Sequence, residues 1–242
     1  MTQPVDPDPA APAVTWAQMR EYFPHRPLAY HLHALPEHGI VYVKNPKAAC
    51  STVLLWLDRL HTGEHDFSPD NVHKQNRLPK VRDLGRRRVA RMLSGGAYRF
   101  TFVRDPLRRF QSAYLDKIVG STGWRSEVQV ALGQEPDEER PVSLDDFVLA
   151  LERQDPVTEM NPHWRPQHVN VMADLIHYDQ VGRIESFAQD LEVIREAAGL
   201  PDVPVQARNV KATPREDVLA GRPDLEERVR AIYAGDYERF GY

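Results

Sequence analysis

The stretch "IVYVKNPKAACSTVLLWL", residues 40–57, decides the fold. It opens on a short β-branched, apolar run, the composition of a buried parallel strand. It closes on a segment of helical composition, "STVLLWLDRL" when continued to Leu60. Between the two lie Lys47 and a pair of hydroxyls, Ser51 and Thr52. Where a strand turns into a helix, backbone N–H groups and the helix dipole face any anion that settles there. Lys47 adds full positive charge, and the two hydroxyls add donors. The outline is that of a phosphate-binding loop, with two anomalies. No glycine lies between Gly39 and Gly63, and the hydroxyls follow the lysine by four and five residues. The nucleoside-triphosphate pattern G-x-x-x-x-G-K-[ST], whose hydroxyl holds Mg²⁺ beside the lysine, is absent. The arrangement suits a phosphate-like group bound without a metal. The alternative is a plain strand–loop–helix joint with its lysine in solvent.

The flanking chain supports an α/β domain. "YRFTFV" (98–103) is a second strand by its aromatic and β-branched content. "PLRRFQSAYLDKI" (106–118) predicts an amphipathic helix with Pro106 in its first turn. Thr15 with Gln18, and Ser186 with Gln189, have capping-box spacing. Ser143 caps "LDDFVLALERQ", 80–93 predicts a basic helix weakened at Gly85, 174–185 a strand or strand pair, and the C-terminus a last helix. Strands alternating with helices imply a central parallel sheet flanked by helices, a three-layer P-loop-like arrangement. The expected organisation is a disordered, Pro-rich leader over 1–14 and a single domain over 15–242.

The second strand ends as the first does. Arg104 stands at its end, and Ser112, eight residues on, falls off the apolar face of the following helix. An arginine fork with a hydroxyl is good chemistry for a terminal phosphate; an ion pair of Arg104 with Asp105 is the competing use.

Together the two segments resemble the cofactor-binding boxes of the sulfotransferases that use 3′-phosphoadenosine 5′-phosphosulfate (PAPS). "PKAACST" is similar to the 5′-phosphosulfate loop and "FVRDPLRRFQSAYLDK" to the 3′-phosphate box. "NPHWRPQHV" (161–169), "HYDQVGRIESF" (177–187) and "YAGDYERFGY" (233–242) resemble, in order, the carbohydrate branch that includes the HNK-1 and chondroitin 4-O-sulfotransferases. The resemblance runs from about residue 40 to the C-terminus and implies sulfuryl transfer from PAPS to a hydroxyl, without a metal. It implies that Lys47 offsets charge on the bridging oxygen, and that residues 47–52 (Lys47, Ala48, Ala49, Cys50, Ser51 and Thr52) hold the 5′ end. Arg104 and Ser112 would hold the 3′-phosphate, with Arg208 and Lys211 of a late loop closing over it. Related members carry a catalytic His or Glu near the position of His73. A general base is needed there to take the acceptor's proton. His163 is the second choice, and with Trp164 it forms a possible acceptor platform, Trp164 stacking on a ring; a packed His–Trp contact is the alternative.

Other patterns carry less. His61 and His65 flank Glu64, but the glutamate is misplaced for H-E-x-x-H and Gly63 interrupts the helix. Cys50 is a small loop residue for which the transfer has no use. Residues 74–91 hold eight basic side chains against Asp83 alone, a solvated face or a positive rim that attracts an anionic acceptor. The net charge of −4 argues against a general nucleic-acid binder, and the one cysteine excludes an intramolecular disulfide and a Cys-based zinc site. No apolar run is long enough to span a bilayer. Animal members of the branch usually carry a membrane anchor and several cysteines. This chain has neither, so the expectation is a cytoplasmic enzyme acting on a saccharide, glycolipid or hydroxylated metabolite. The rivals are an ATP-dependent small-molecule kinase and a nucleotide-binding module without chemistry.

Overall fold

The computed structural model describes residues 13–25, 27–208 and 217–242. Nearly all of the expected leader, and Lys211, lie outside the described residues. The elements in chain order are α1 (Trp16–Glu21), β1 (Leu32–Leu35), β2 (Ile40–Val43), α2 (Cys50–Thr62), α3 (Val72–Gln75), α4 (Val81–Leu84) and α5 (Arg86–Arg91). They continue with β3 (Tyr98–Val103), α6 (Pro106–Ala113), α7 (Arg125–Ala131), α8 (Leu144–Arg153) and α9 (Gln167–Asn170). The chain closes with β4 (Gln180–Arg183), α10 (Phe187–Ala197), α11 (Pro223–Ile232) and α12 (Ala234–Phe240). Two compact units result, one of residues 1–103 with 170–210, the other of 104–169 with 211–242.

The first unit holds the sheet, ordered β1-β2-β3-β4. β2, β3 and β4 run parallel, and β1 joins β2 antiparallel. The sheet is therefore α/β and mostly parallel, with an antiparallel edge formed by "LHAL". One face carries an aromatic row. Tyr42 stacks on Phe100 at 5.2 Å, and Phe102 leans on Phe187 at 4.8 Å. Helices α2 and α10 bury Val53, Leu54, Leu57, Leu191 and Ile194 in the same cluster. Val41, Val43 and Val103, pointing the other way by strand alternation, are buried too. Two-sided burial is what an all-apolar strand such as "IVYV" encodes.

Gly182 on β4 lies opposite Phe102 in the register. A Cβ there would come 2.5 Å from Phe102 Cε1, so only glycine lets that ring lie flat on the sheet.

The second unit is helical. Phe110, Phe147, Trp164, Leu225, Val229 and Tyr233 form its core. Arg109, 1% exposed, donates to the carbonyls of Arg165 and Pro162 and so fixes the 162–165 turn. Asp236, with no exposed surface, accepts from the backbone N–H groups of Gln167 and His168 and lies 2.7 Å from His168 Nδ1. That buried carboxylate ties "HWRPQH" to "GDYERF", two segments far apart in sequence.

Several local expectations change. Thr15 closes its capping box with Gln18, and Ser143 accepts from Asp146 N. Ser186 makes no cap bond; its hydroxyl donates instead to Asp190 Oδ2 at 2.8 Å. The basic helix breaks at Gly85, whose φ of 83° no helix accommodates, into α4 and α5. The C-terminal helix divides at Tyr233 into α11 and α12, and the helix after Pro106 widens into a π-helical turn over Tyr114–Val119.

Candidate anion-binding site

β2 delivers the chain into the loop at Lys44. Asn45, fully buried, donates through Nδ2 to the Phe102 carbonyl at 3.1 Å, and Thr101 Oγ1 donates to the Val43 carbonyl at 2.8 Å. These bonds lock the ends of β2 and β3 together just where the loop begins. Lys47 and Ala49 then adopt φ of 70° and 54°, the left-handed region that usually calls for glycine. The loop thus makes its turns without glycine, accepting strain of order 1–3 kcal/mol per such residue. Strained backbone beside alternating N–H groups is the geometry in which a chain wraps an anion.

Ala49 is the N-cap of α2, so Cys50, Ser51 and Thr52 form its first turn. Ser51 and Thr52 are 8% and 5% exposed, while Lys47 is half-buried. Thr52 Oγ1 accepts the backbone N–H of Arg208 at 3.0 Å. The Arg208 guanidinium is turned elsewhere, donating to Ser68 Oγ at 3.1 Å and the Pro69 carbonyl at 2.6 Å. Arg208 therefore fastens the loop's rim by its backbone and the 68–70 segment by its side chain.

His73 comes to the same place from α3. Its Nε2 lies 3.0 Å from Ser51 Oγ and 3.9 Å from Cys50 Sγ. Either tautomer keeps the bond, the hydroxyl donating to a bare Nε2 or accepting from a protonated one. A single helical turn needs outside support to hold a side chain this well, and α3 has it. Val72 is buried, Asn71 caps Lys74 N, and Asn76 Nδ2 donates to the Val72 carbonyl at 2.7 Å. Just beyond, Arg77 grips the fully buried Asp58 of α2, NH2 to Oδ1 at 2.7 Å and Nε to Oδ1 at 3.1 Å.

Next to His73 a cavity of about 170 Å³ opens, its wall including Tyr30, His33, Lys44, Asn76 and Lys80. Lys44 is 2% exposed, its Nζ 2.8 Å from the centre of the Tyr30 ring. Burial pushes the Lys44 ammonium down to about 7, slightly offset by the Cys50 thiol. Burial, with the Lys44 charge, holds His33 well below the usual histidine range.

Arg104, the residue after β3, belongs to the second unit. Its backbone is clamped by Gln167, which accepts from Arg104 N at 3.0 Å and donates to Arg104 O at 2.7 Å. Asp105 caps α6 by accepting from Arg108 N at 2.8 Å. Ser112 is only 2% exposed, so the open hydroxyl expected from helical spacing is in fact enclosed. His163 Nδ1 lies 2.7 Å from Asn161 Oδ1, and its ring tilts against Trp124, not Trp164. Trp164 is fully buried against Phe147, its indole N–H toward Gln154. A ring with no exposed surface has no face for a sugar, which corrects the expected acceptor platform at Trp164. Among the described residues no three His, Cys, Asp or Glu side chains group as metal ligands. None of their helices is long and apolar enough to cross a membrane.

The sequence pointed to Lys47, Ser51, Thr52 and His73, and the first unit sets His73 of α3 against the α2 turn that carries Ser51 and Thr52. Lys44, Asn45, Gln167 and Asp236 were missed, and His33, which alternates with His31 as on a strand, reads from sequence only as a surface or core histidine. Only Lys44 carried a visible signal, a charge set directly against an all-apolar strand.

A mostly parallel sheet that ends in a lysine-and-hydroxyl loop, with a histidine against the first turn of the following helix, defines an α/β domain of the P-loop-like class. The chain belongs to the sulfotransferase family, whose model ("Sulfotransferase family") matches residues 30–242. It is similar to human carbohydrate sulfotransferase 9, 26% identical over 178 residues that cover 68% of this chain and 40% of the relative. It is 27% identical to zebrafish (Danio rerio) carbohydrate sulfotransferase 14 over 72% of this chain and 50% of that protein. To mouse carbohydrate sulfotransferase 10 it is 26% identical over 85% of this chain and 65% of that protein. The chain thus spans roughly 40% to 65% of the length of these curated relatives. No solved structure gives a significant match.

Proposed function

We propose that the protein transfers the sulfuryl group of PAPS to a hydroxyl of a saccharide or similar acceptor. The observation that carries this is His73 placed 3.0 Å from Ser51 on the first turn of a loop that also presents Lys47. The similarity to carbohydrate sulfotransferases supports the acceptor class. PAPS, when bound, supplies a sulfuryl group on a phosphate leaving group. Three features of the loop fit a 5′-phosphosulfate: the left-handed turns, the helix N-terminus and the paired hydroxyls.

Lys47 places positive charge where the leaving oxygen gains negative charge, the preorganised stabilisation that lowers such barriers. Ser51 and Thr52 orient the loop's end of the donor. His73 takes the acceptor's proton, and its bond to Ser51 aims the imidazole while it waits. Arg104 and Ser112 are assigned to the 3′-phosphate on the sequence match. The absent lysine–hydroxyl adjacency disfavours the kinase alternative. A cytoplasmic site of action remains part of the proposal, resting on composition.

The deciding measurement is thermal shift. Adenosine 3′,5′-bisphosphate raises the melting temperature by preferential binding to the folded state, and 5′-AMP does so far less. Arg104→Ala removes most of that difference. Equal shifts with both nucleotides would remove PAPS from the proposal. Transfer of labelled sulfate from PAPS to a panel of saccharides separates an enzyme from a non-catalytic module.

A further inference from the structure

The cavity beside His73 has an unusual wall. Lys44, Lys80, His33 and His73 all contribute, and no acidic side chain does. Lys80 Nζ donates to Asn76 Oδ1 at 3.0 Å and so keeps its charge at the rim without a carboxylate partner. His33 Nε2 is buried with no hydrogen-bond partner among the described residues. Lys44 has the Tyr30 ring beneath its ammonium and no ion pair among the described residues. An ammonium and a ring nitrogen withdrawn from water and left without an anion carry a desolvation cost. The ring offsets part of it, since its face attracts a cation.

From this geometry we infer that the cavity receives a negatively charged substituent of the acceptor, a carboxylate or a sulfate or phosphate ester, and holds it beside His73. This rests on the sulfotransferase reading above and narrows its acceptor to anionic molecules. Lys44 and Lys80 pair with the charge, His33 donates or accepts one hydrogen bond according to its tautomer, and Asn76 shapes the rim. The cavity has room for one such group and its immediate neighbours. The reacting hydroxyl then lies outside it, within reach of His73. Lys44 thereby acts as a specificity residue, set three positions before the lysine of the anion loop.

The test is isothermal titration of the whole protein with methyl α-galacturonide, methyl α-galactoside and galactose 6-sulfate, with and without saturating adenosine 3′,5′-bisphosphate. The two acids are expected to bind at least tenfold more tightly than the neutral galactoside. A preference between the two acids identifies whether the natural group is a carboxylate or an ester. Lys44→Gln is expected to lose that tenfold, and His33→Phe most of it, while both variants still titrate with the bisphosphate. Equal binding of acid and neutral sugar, or binding by none of the three, overturns the inference. So does Lys44→Gln losing the bisphosphate instead, since the cavity would then serve the donor. Failure of the bisphosphate to bind the parent protein would count against the sulfotransferase reading alone, because the sugar titrations are also run without it.

Discussion

His73 Nε2 stands 3.0 Å from Ser51 Oγ, bridging 22 residues of chain to bring an imidazole onto the first turn of α2. The contact joins the two features expected of the reaction, an anion loop and a proton acceptor. His73→Ala is expected to lower kcat by about 10²–10⁴-fold, the range of a positioned general base. Adenosine 3′,5′-bisphosphate affinity should change little. A fall in that affinity equal to the fall in kcat would make His73 a donor-binding residue. Ser51→Ala should act on both, because its hydroxyl belongs to the loop and to the histidine.

The glycine-free loop makes a stability prediction. Ala49 at φ 54° is strained, so Ala49→Gly should be neutral to stabilising by up to about 1 kcal/mol. Ala49→Val, whose branched Cβ tolerates this region least, should cost about 2 kcal/mol or more. Urea midpoints at constant m-value measure both. A destabilised glycine variant would show that the turn carries no strain.

Gly182→Ala should destabilise by about 1–3 kcal/mol, the usual cost of overpacking. The added methyl meets the Phe102 ring at 2.5 Å, and that ring is wedged against Phe187. The double variant Gly182→Ala, Phe102→Leu should recover part of the loss. Additive costs in that pair would place the strain elsewhere.

Asp236→Ala should cost about 3 kcal/mol or more, because it removes a buried acceptor of two backbone N–H groups and the partner of His168. Thermal or urea unfolding measures the loss. A change below about 0.5 kcal/mol would show that water replaces the carboxylate.

Lys44 gives a pH prediction. Its pKa falls from 10.5 in a free side chain to about 7 in the fold. The unfolded chain therefore binds a proton more readily, so this side chain's penalty on stability is complete below pH 7. It shrinks as pH rises from about 7 towards 10.5 and then vanishes. Lys44→Met should accordingly stabilise the protein more at pH 6 than at pH 10. For the parent, binding of an acid in the cavity should take up protons near neutral pH and weaken as pH rises above 7. Calorimetry in buffers of different ionisation enthalpy counts those protons.

Much of this was legible in residue order. "IVYV" declared itself as a strand because every position is apolar when both faces are buried, and "YRFTFV" did so by its aromatic and β-branched content. Lys47, the hydroxyl pair and His73 could be picked out because charge, donors and a base are chemically few. What stayed hidden depended on distance through space. Nothing in "HWRPQ" announces that Asp236 holds it, and nothing around Trp164 distinguishes a core indole from a sugar platform. The 3.6-residue period placed Ser112 off the apolar stripe, yet it is buried in the fold. β1 was missed as an edge strand because "LHAL" is short and its pairing with β2 is decided by the turn at Gly39. The Ser186 cap failed because its backbone, at φ −119° and ψ 30°, is not in the extended geometry from which an N-cap hydroxyl reaches the first turn.

The Asp58–Arg77 latch has a practical consequence. α3 is one turn long, and the chain before it, residues 63–71, is irregular, so His73 depends on that latch, on buried Val72, on the Asn71 and Asn76 side chains and on the Arg208 bonds to Ser68 and Pro69. A one-turn helix held mainly by side-chain bonds opens before a packed sheet does. On slow heating, the proposed transfer activity should therefore fade several degrees before ellipticity does, and a covalent crosslink to α2 would extend its working range without making the sheet any harder to melt.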